Sequence, residues 1–385
     1  MSKAYRRHVR FYAIMRRLLG PFFRRLLRYQ SAPVTVPEGP YIAVANHTTD
    51  LDSILLGISF PSHMYFVASE HIFRNAPLRR LLVWLLDPIP KRKGGADVST
   101  AMQMARRLRK GMNVALFAEG NKSFHGATCP VHPATGSMVR ACGASLVTYR
   151  FEGGYFTSPR WAHTLRRGRM RGYPVGVYGP AELAALSDQQ INRLIARDID
   201  EDAYRTQAAD PVDFRGKRLA EGIQNALYLC PRCRAYGTLT ARGDRLACGC
   251  GLSATYTARG MLSGADVPFE TLTAWGAWQR EALWQRMGDA GEEAFLSDAG
   301  QTVLLIHPDH RTETAAQGTL CMSRRGLRCG DFFVPAEELQ GLEIYGRNTL
   351  VFSDGKGSRY QVRSATERSG LAYYDAYELM RKERG

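Results

Sequence analysis

Residues 46–52, Asn-His-Thr-Thr-Asp-Leu-Asp, lie between two apolar runs, Tyr41–Ala45 and Ile54–Phe60. Histidine is the side chain best suited to proton exchange near neutral pH. A carboxylate one helical turn beyond it, as Asp52 is beyond His47, can accept the second ring N–H, fix the tautomer and stabilise the imidazolium. The same residues also fit a turn histidine that caps a helix with Thr49 or Asp50, and spacing alone leaves both readings open. The chain contains no G-x-S-x-G and so offers no obvious serine nucleophile. A base without a protein nucleophile points to an attacking hydroxyl supplied by the substrate. A second polar stretch, Phe117-Ala-Glu-Gly-Asn-Lys-Ser123, offers a carboxylate, a glycine open to close backbone approach, a cation and a hydroxyl. Lys122 suits a phosphate, and Glu119 suits a hydroxyl or the side chains that hold the phosphate. Upstream, Pro88-Ile-Pro-Lys-Arg-Lys-Gly-Gly95 sets three cations beside glycines. A P-loop is excluded, because G-x-x-x-x-G-K-[ST] is absent.

These residues need a scaffold that brings them to one place. From Val34 to about Pro180, short β-like runs (YIAVAN, MYFVAS, NVALFAEG, ASLVTYRF, YPVGVYGP) alternate with helical stretches, clearest at 51–59, 77–86 and 96–110. Such alternation predicts an α/β domain with a largely parallel sheet. Both polar motifs directly follow strand-like runs, and ligands of parallel sheets gather where strands end at their carboxyl edge.

His47 with Asp52, the basic block at 91–93 and FAEGNKS, in that order and separation, resemble the signature blocks of the glycerolipid acyltransferase family, the 1-acylglycerol-3-phosphate acyltransferases and their relatives. The likeness covers roughly Tyr41 to Pro180. It implies acyl transfer from a thioester, acyl-CoA or acyl carrier protein, to the free hydroxyl of a lysophospholipid. His47 would deprotonate that hydroxyl and Asp52 would orient the ring. Asn46, Arg92, Lys93, Glu119, Gly120, Lys122 and Ser123 would hold the acceptor and its phosphate. The chain departs from the family's usual third block at Ala118, Asn121 and Lys122, where proline, threonine and arginine are common; lysine gives a point charge where arginine gives a bidentate fork. The family's second-block arginine aligns with Lys93, or with Arg92 if the register slips by one. Arg150, Arg160, Arg166, Arg167, Arg169 and Arg171 form either a shared anion contact or a solvated basic loop.

Cys230-Pro-Arg-Cys233, followed after fourteen residues by Cys248-Gly-Cys250-Gly, has the spacing of a zinc ribbon. Four thiolates with no open position imply a structural zinc; free buried thiols are the alternative. Cys129, Cys142, Cys321 and Cys329 have no metal spacing. Residues 268–289 read as an amphipathic helix carrying Trp275, Trp278 and Trp284. Short strands from 302 onward, closed by a helix at about 365–382, resemble the pleckstrin-homology or GRAM-like architecture. That likeness suits a lipid-headgroup or protein adaptor as well as a purely structural β domain.

The formal charge of +16 calls for an anionic partner, and nine of the excess cations fall in residues 1–30, which hold no acid. On a helix, most of these arginines share one arc, opposed by Tyr5, Val9, Tyr12, Met15, Leu18, Leu19, Phe22, Phe23, Leu26 and Leu27, with Pro21 expected to break or kink it. That pattern suits an anionic bilayer surface and also suits packing on the protein's own body. Paired arginines interrupt the apolar runs of this segment, so no signal peptide is expected. The best apolar stretch, Leu81–Leu86, stops at Asp87-Pro88, so no spanning helix is expected either. The organisation read from the sequence is a cationic interface helix (1–30), an acyltransferase domain (31–228), a zinc ribbon (229–258), a connecting helical segment (259–300) and a β domain (301–385). The expected protein is a cytoplasmic enzyme of phospholipid biosynthesis, peripheral on the inner membrane face, with no nucleic-acid partner. A non-catalytic zinc-ribbon adaptor for anionic lipid or nucleic acid, and a thioester hydrolase, are the competing readings.

Overall fold

The computed structural model describes residues 3–69, 76–91, 98–309, 311–365 and 368–384. These form two compact units, one holding the described residues up to 160 together with 165–216, the other 161–164 and 217–384.

The first unit opens with α1 (Lys3–Leu26) and β1 (Gln30–Ser31), then β2 (Tyr41–Ala45), α2 (Asp52–Ser59), β3 (Met64–Ser69), α3 (Ala76–Leu85), β4 (Ile89–Lys91), α4 (Val98–Leu108) and β5 (Asn113–Phe117). It continues with α5 (Thr135–Cys142), β6 (Ser145–Glu152), α6 (Gly154–Thr157), β7 (Arg171–Tyr178), α7 (Pro180–Ala184), α8 (Asp188–Ile199) and α9 (Ala203–Ala209). The sheet order is β1-β7-β6-β2-β5-β3-β4. Every pairing is parallel except β6 with β7, so the expected parallel sheet is present with one reversal near its edge.

Strand β2 shows why the sheet is covered on both sides. All five of its residues are buried, as a parallel strand between two helical layers requires. Ile42 and Val44 face a core built with Met104 of α4, Val139 of α5 and Ile191 and Ile195 of α8. Tyr41, Ala43 and Ala45 face the other core, built with Leu55, Leu56 and Ile58 of α2.

Helix α1 packs one side on this unit. Tyr12 donates to the Gly57 carbonyl (2.8 Å), and His8 pairs with the Tyr65 hydroxyl (3.1 Å) in a buried contact. The expected break at Pro21 does not occur: the helix runs through it to Leu26. Pro21 lies on the exposed side, and the turn after it is anchored by the Leu27 N–H to the Phe23 carbonyl and by the buried Leu27 and Tyr29. The opposite side of α1 leaves Ile14, Leu18 and Phe22 more than half exposed. Among the described residues no helix is long and apolar enough to cross a membrane.

The second unit contains β8 (Leu239–Arg242), β9 (Arg245–Cys248), β10 (Ser253–Tyr256) and β11 (Leu262–Ser263), an antiparallel sheet in the order β11-β10-β9-β8. Helix α10 (Leu272–Asp289) follows, then β12 (Leu296–Ile306), β13 (Thr312–Ser323), β14 (Gly326–Cys329), β15 (Phe332–Pro335), β16 (Gln340–Tyr345), β17 (Thr349–Ser353), β18 (Arg359–Ser364) and α11 (Gly370–Arg384). These seven strands form one antiparallel sheet in the order β15-β14-β13-β12-β18-β17-β16. Helix α10 is part of this unit's interior. Trp275 is fully buried and donates to the Leu229 carbonyl, while the buried Gln279 amide accepts from the Tyr228 N–H and donates to the Ala226 carbonyl.

Candidate active site and metal centre

The register of three central strands sets the site. Ala45 pairs with Phe117 of β5 on one side and with Tyr149 of β6 on the other. The chain therefore leaves β2 and β5 at the same level of the carboxyl edge, and the two polar motifs meet although His47 and Glu119 are 72 residues apart.

Asn46 carries the β2 ladder one step further. Its amide donates to the Phe151 carbonyl (2.9 Å) and accepts the Phe151 N–H (2.7 Å), and the residue is 1% exposed. Expected among the substrate contacts, it makes both of these bonds to the backbone of β6.

Asp52 is the first residue of α2 and is fully buried. Its Oδ2 accepts from the Thr48 N–H (2.5 Å), the Thr49 N–H (2.8 Å) and His47 Nδ1 (2.9 Å). Its Oδ1 accepts the hydroxyls of Thr48 (3.2 Å) and Thr49 (2.8 Å). Five donors therefore converge on one buried carboxylate. With Nδ1 donating to Asp52, the neutral ring presents Nε2 as an acceptor, and Nε2 has no hydrogen-bond partner among the described residues. The ring lies flat against Phe117, with centroids 4.3 Å apart and planes 15° apart, so both its rotation and its tautomer are held.

Glu119 ties the two motifs together from beneath. One carboxyl oxygen accepts the His47 N–H (2.6 Å) and the other the Cys129 N–H (2.5 Å). Burial pushes this carboxyl up to about 8, against the pull of its two N–H donors and with the Asp52 charge adding to the rise. Glu119 was expected to meet the acceptor; the observed contacts are with backbone. Either protonation state of a carboxyl can accept at both oxygens, whereas the amide nitrogen of glutamine cannot accept. Glu119→Gln is therefore expected to orphan one buried N–H, at about 1–3 kcal/mol, and to lower activity. The pH dependence has a definite sign. Because the folded value is raised, the stability this proton contributes is full below about 4.5 and is lost as pH rises toward 8. Melting curves of wild type and Glu119→Gln should converge between pH 5 and 8.5; a gap that stays constant over that range would show Glu119 ionised throughout.

Gly120 takes a left-handed φ of 70°. A side chain there would begin 3.6 Å from the Lys91 ammonium, which places the last residue of β4 beside the third motif. Lys122 pairs with Asp50 and is 13% exposed. Burial lowers the Lys122 ammonium below its ordinary range while Asp50 opposes the shift. Burial works against the charge on Asp50, but Lys122, with His47 and Arg160 adding to it, outweighs burial and holds that carboxyl low. Arg160 donates to the Lys122 carbonyl (3.1 Å) and lies over the Phe124 ring (4.3 Å). Ser123 is buried, and its hydroxyl accepts the Gly126 N–H (2.8 Å), closing the turn.

Of the basic cluster, Arg160 is brought to this loop. Arg150 donates to the carbonyls of Arg197 and Asp198, and Arg169 and Arg171 both pair with Asp210. Arg92 and Lys93 lie outside the described residues. Lys91, the first of the three upstream cations, and Arg160, of the basic cluster, are thus the cations brought to this loop; their arrival depends on β4 register and on the return of the chain after α6.

Gly154, after β6, was not singled out by the sequence. A Cβ there would sit 2.0 Å from Thr48 Oγ1. Thr48 serves Asp52 through both its N–H and its hydroxyl, so Gly154→Ala should shift the His47–Asp52 pair. Since displacements of about 1 Å can cost about a hundredfold in rate, a fall of that order is expected in a turnover assay with the fold retained. Unchanged turnover would mean that the loop relaxes around the methyl group.

In the second unit, the sulfur atoms of Cys230, Cys233, Cys248 and Cys250 lie within 4.8 Å of one another. The Cys230–Cys250 and Cys233–Cys248 pairs are 3.6 and 3.8 Å apart. Tetrahedral zinc with bonds of about 2.3 Å sets its sulfurs roughly 3.8 Å apart, so the donor set fits. Both turns have the shape the ribbon reading requires. The Arg234 N–H bonds to the Cys230 carbonyl, the Gly251 N–H bonds to the Cys248 carbonyl, and Arg234 and Gly251 both adopt positive φ. The short C-x-C spacing is accommodated by Gly251 at φ 95°.

Residues 27–152 match the family model described as Acyltransferase. Among solved structures, the 1-acyl-sn-glycerophosphate (LPA) acyltransferase PlsC of Thermotoga maritima is similar at 17% identity, covering 49% of this chain and 78% of its own, with a TM-score of 0.40. That likeness is too remote to carry an argument. No curated protein matches the chain.

Proposed function

We propose, from the match of residues 27–152 to the Acyltransferase family model, that the chain moves a fatty acyl group from a thioester donor, acyl-CoA or acyl carrier protein, to the free hydroxyl of 1-acylglycerol-3-phosphate or a related lysolipid. The observation that carries this reading is the base without a protein nucleophile. His47 Nε2 is unpartnered among the described residues, and the hydroxyls that follow it in the chain, Thr48 and Thr49, both donate to Asp52. The hydroxyl activated by the base then belongs to the acceptor. Nε2 takes its proton as the oxygen attacks the thioester carbonyl, and Asp52 stabilises the imidazolium. The tetrahedral intermediate collapses with loss of the thiolate, which receives the proton back from Nε2; an ester forms and a thioester breaks.

Lys122, Lys91 and Arg160 give the acceptor phosphate its cations, with Gly120 allowing close approach. Arg92 and Lys93 are retained as candidate partners of that phosphate. Asn46, Glu119 and Ser123 act as positioning residues. The outward side of α1, where Ile14, Leu18 and Phe22 adjoin Arg17 and Arg25, supports docking to an anionic membrane surface. The free cysteines suit a reducing compartment and hence the inner face of that membrane. The four clustered cysteines hold a structural zinc with no part in the chemistry. The test is product formation from lysophosphatidic acid with acyl-CoA and acyl carrier protein offered separately. Lysolipid acylation supports the reading, and free fatty acid formed at the same rate without acceptor would make the protein a thioester hydrolase.

A further inference from the structure

A groove along α1 has no part in the proposed reaction. It is open to solvent, with a volume of about 400 Å³. Small or apolar residues line part of it: Ala13, Gly20 and Pro21 of α1 and Ile58 of α2. Three arginines, Arg16, Arg17 and Arg24, complete the lining. On α1 these positions recur every three or four residues, so one stripe presents small residues between guanidinium groups. Gly20 and Ile58 are buried, and a Cβ on Gly20 would lie 3.8 Å from the Ile58 side chain, which is how closely α1 sits on α2.

The arginines differ in their freedom. Arg16 donates to the Pro61 carbonyl (2.8 Å), and Arg24 reaches the Ile58 carbonyl (3.4 Å) and the Ser31 hydroxyl (3.3 Å). Arg17 is exposed and has no hydrogen bond or ion pair among the described residues. No acid lines the groove, and none occurs in the sequence before Glu38. Three uncompensated guanidinium groups call for a phosphate, which arginine binds bidentately. The apolar lining, with Ile14, Leu18 and Phe22 exposed on the same helix, calls for that phosphate to carry hydrocarbon. The groove adjoins Ile58, near the end of α2 away from Asp52, about 9 Å along the helix at its usual rise.

We infer that this groove is a lipid site separate from the reaction centre, holding the phosphate headgroup of an anionic glycerophospholipid of the bilayer among Arg16, Arg17 and Arg24. The inference rests on the membrane-surface reading and is independent of acyl transfer. Occupancy would fix the angle at which α1 lies on the bilayer, beyond what diffuse attraction of cations achieves.

The test is binding of short-chain phosphatidylglycerol, phosphatidylcholine and inorganic phosphate to the full chain, read by titration below the lipid's micelle concentration with no acyl donor present. Loss of enzymatic activity therefore leaves the outcome interpretable. Wild type should bind phosphatidylglycerol saturably and more tightly than the other two. Arg17→Ala should weaken it about fivefold, the effect of roughly 1 kcal/mol per arginine at an anionic surface. Ala13→Trp fills the groove at an exposed position without changing charge and should abolish binding, whereas Arg10→Ala, outside the groove, should leave it intact. Circular dichroism checks that each variant keeps its helix content. Unspecific interfacial binding predicts the opposite for Ala13→Trp, since an added interfacial tryptophan strengthens it. Tighter binding by Ala13→Trp, an equal loss in Arg10→Ala and Arg17→Ala, or inorganic phosphate bound as tightly as the lipid would each overturn the inference.

Discussion

Replacing His47 with alanine should lower acyl transfer by about 10²–10⁴-fold while leaving the fold intact. The ring is about a quarter exposed, and its side-chain contacts are one hydrogen bond to Asp52 and a stack on Phe117. Its removal therefore takes away the base without opening a core. Asp52→Asn should be as damaging to turnover but for a second reason as well. Asp52 accepts five donors, and an amide nitrogen placed among the Thr48 N–H, the Thr49 N–H and His47 Nδ1 cannot accept any of them. The ring would lose its tautomer, and buried N–H groups would be orphaned at about 1–3 kcal/mol each. The paired measurement is turnover with thermal melting: His47→Ala should lose rate alone, Asp52→Asn rate and melting temperature together. Transfer unaffected by His47→Ala would remove the general base from the mechanism, and an unchanged melting temperature in Asp52→Asn would mean that the loop re-pairs its donors.

Removing the metal should have the largest effect on stability. Binding of structural zinc is worth about 10–16 kcal/mol in zinc-finger peptides, comparable to or greater than the whole stability of a typical domain. The segment entering the first knuckle is held only partly by other means: Trp275 donates to the Leu229 carbonyl and Gln279 brackets residues 226–228. Purified protein should contain about one zinc, and a strong chelator should lower the melting temperature sharply. The loss should shift tryptophan emission to the red, because Trp275 is buried beside the residue preceding Cys230. Cys233→Ser should reproduce the effect, while Cys129→Ser, at a cysteine outside the cluster, should leave metal content unchanged. Zinc-free protein with wild-type melting and emission would make the four cysteines plain thiols.

Much of this protein is legible one segment at a time. The strand-like YIAVA, the turn carrying His47 and the helix opening at Asp52 follow from local periodicity, and the distance between base and orienter needs only that one turn. Cys230, Cys233, Cys248 and Cys250 are likewise legible, because thiol spacing and turn residues are local properties. Local reading offered a break or a kink at Pro21, and the structure shows the helix continuing through it to Leu26.

What the tertiary structure decided is which distant groups share a site. The Ala45–Phe117 register brings Glu119 under the His47 N–H, and the Ala45–Tyr149 register lets Asn46 reach Phe151 across 105 residues. No periodicity encodes that Lys91 ends beside Gly120, that Arg160 returns to Lys122, or that Gly154 must lack a side chain beneath Thr48. Helix α1 has apolar residues on more than one side, and only packing against α2 selected Tyr12 for the interior and left Leu18 outside. Residue types and local spacing determined what chemistry the chain can perform. Strand register and packing, which are collective choices among many compatible partners, determined where it is assembled and which cations attend it.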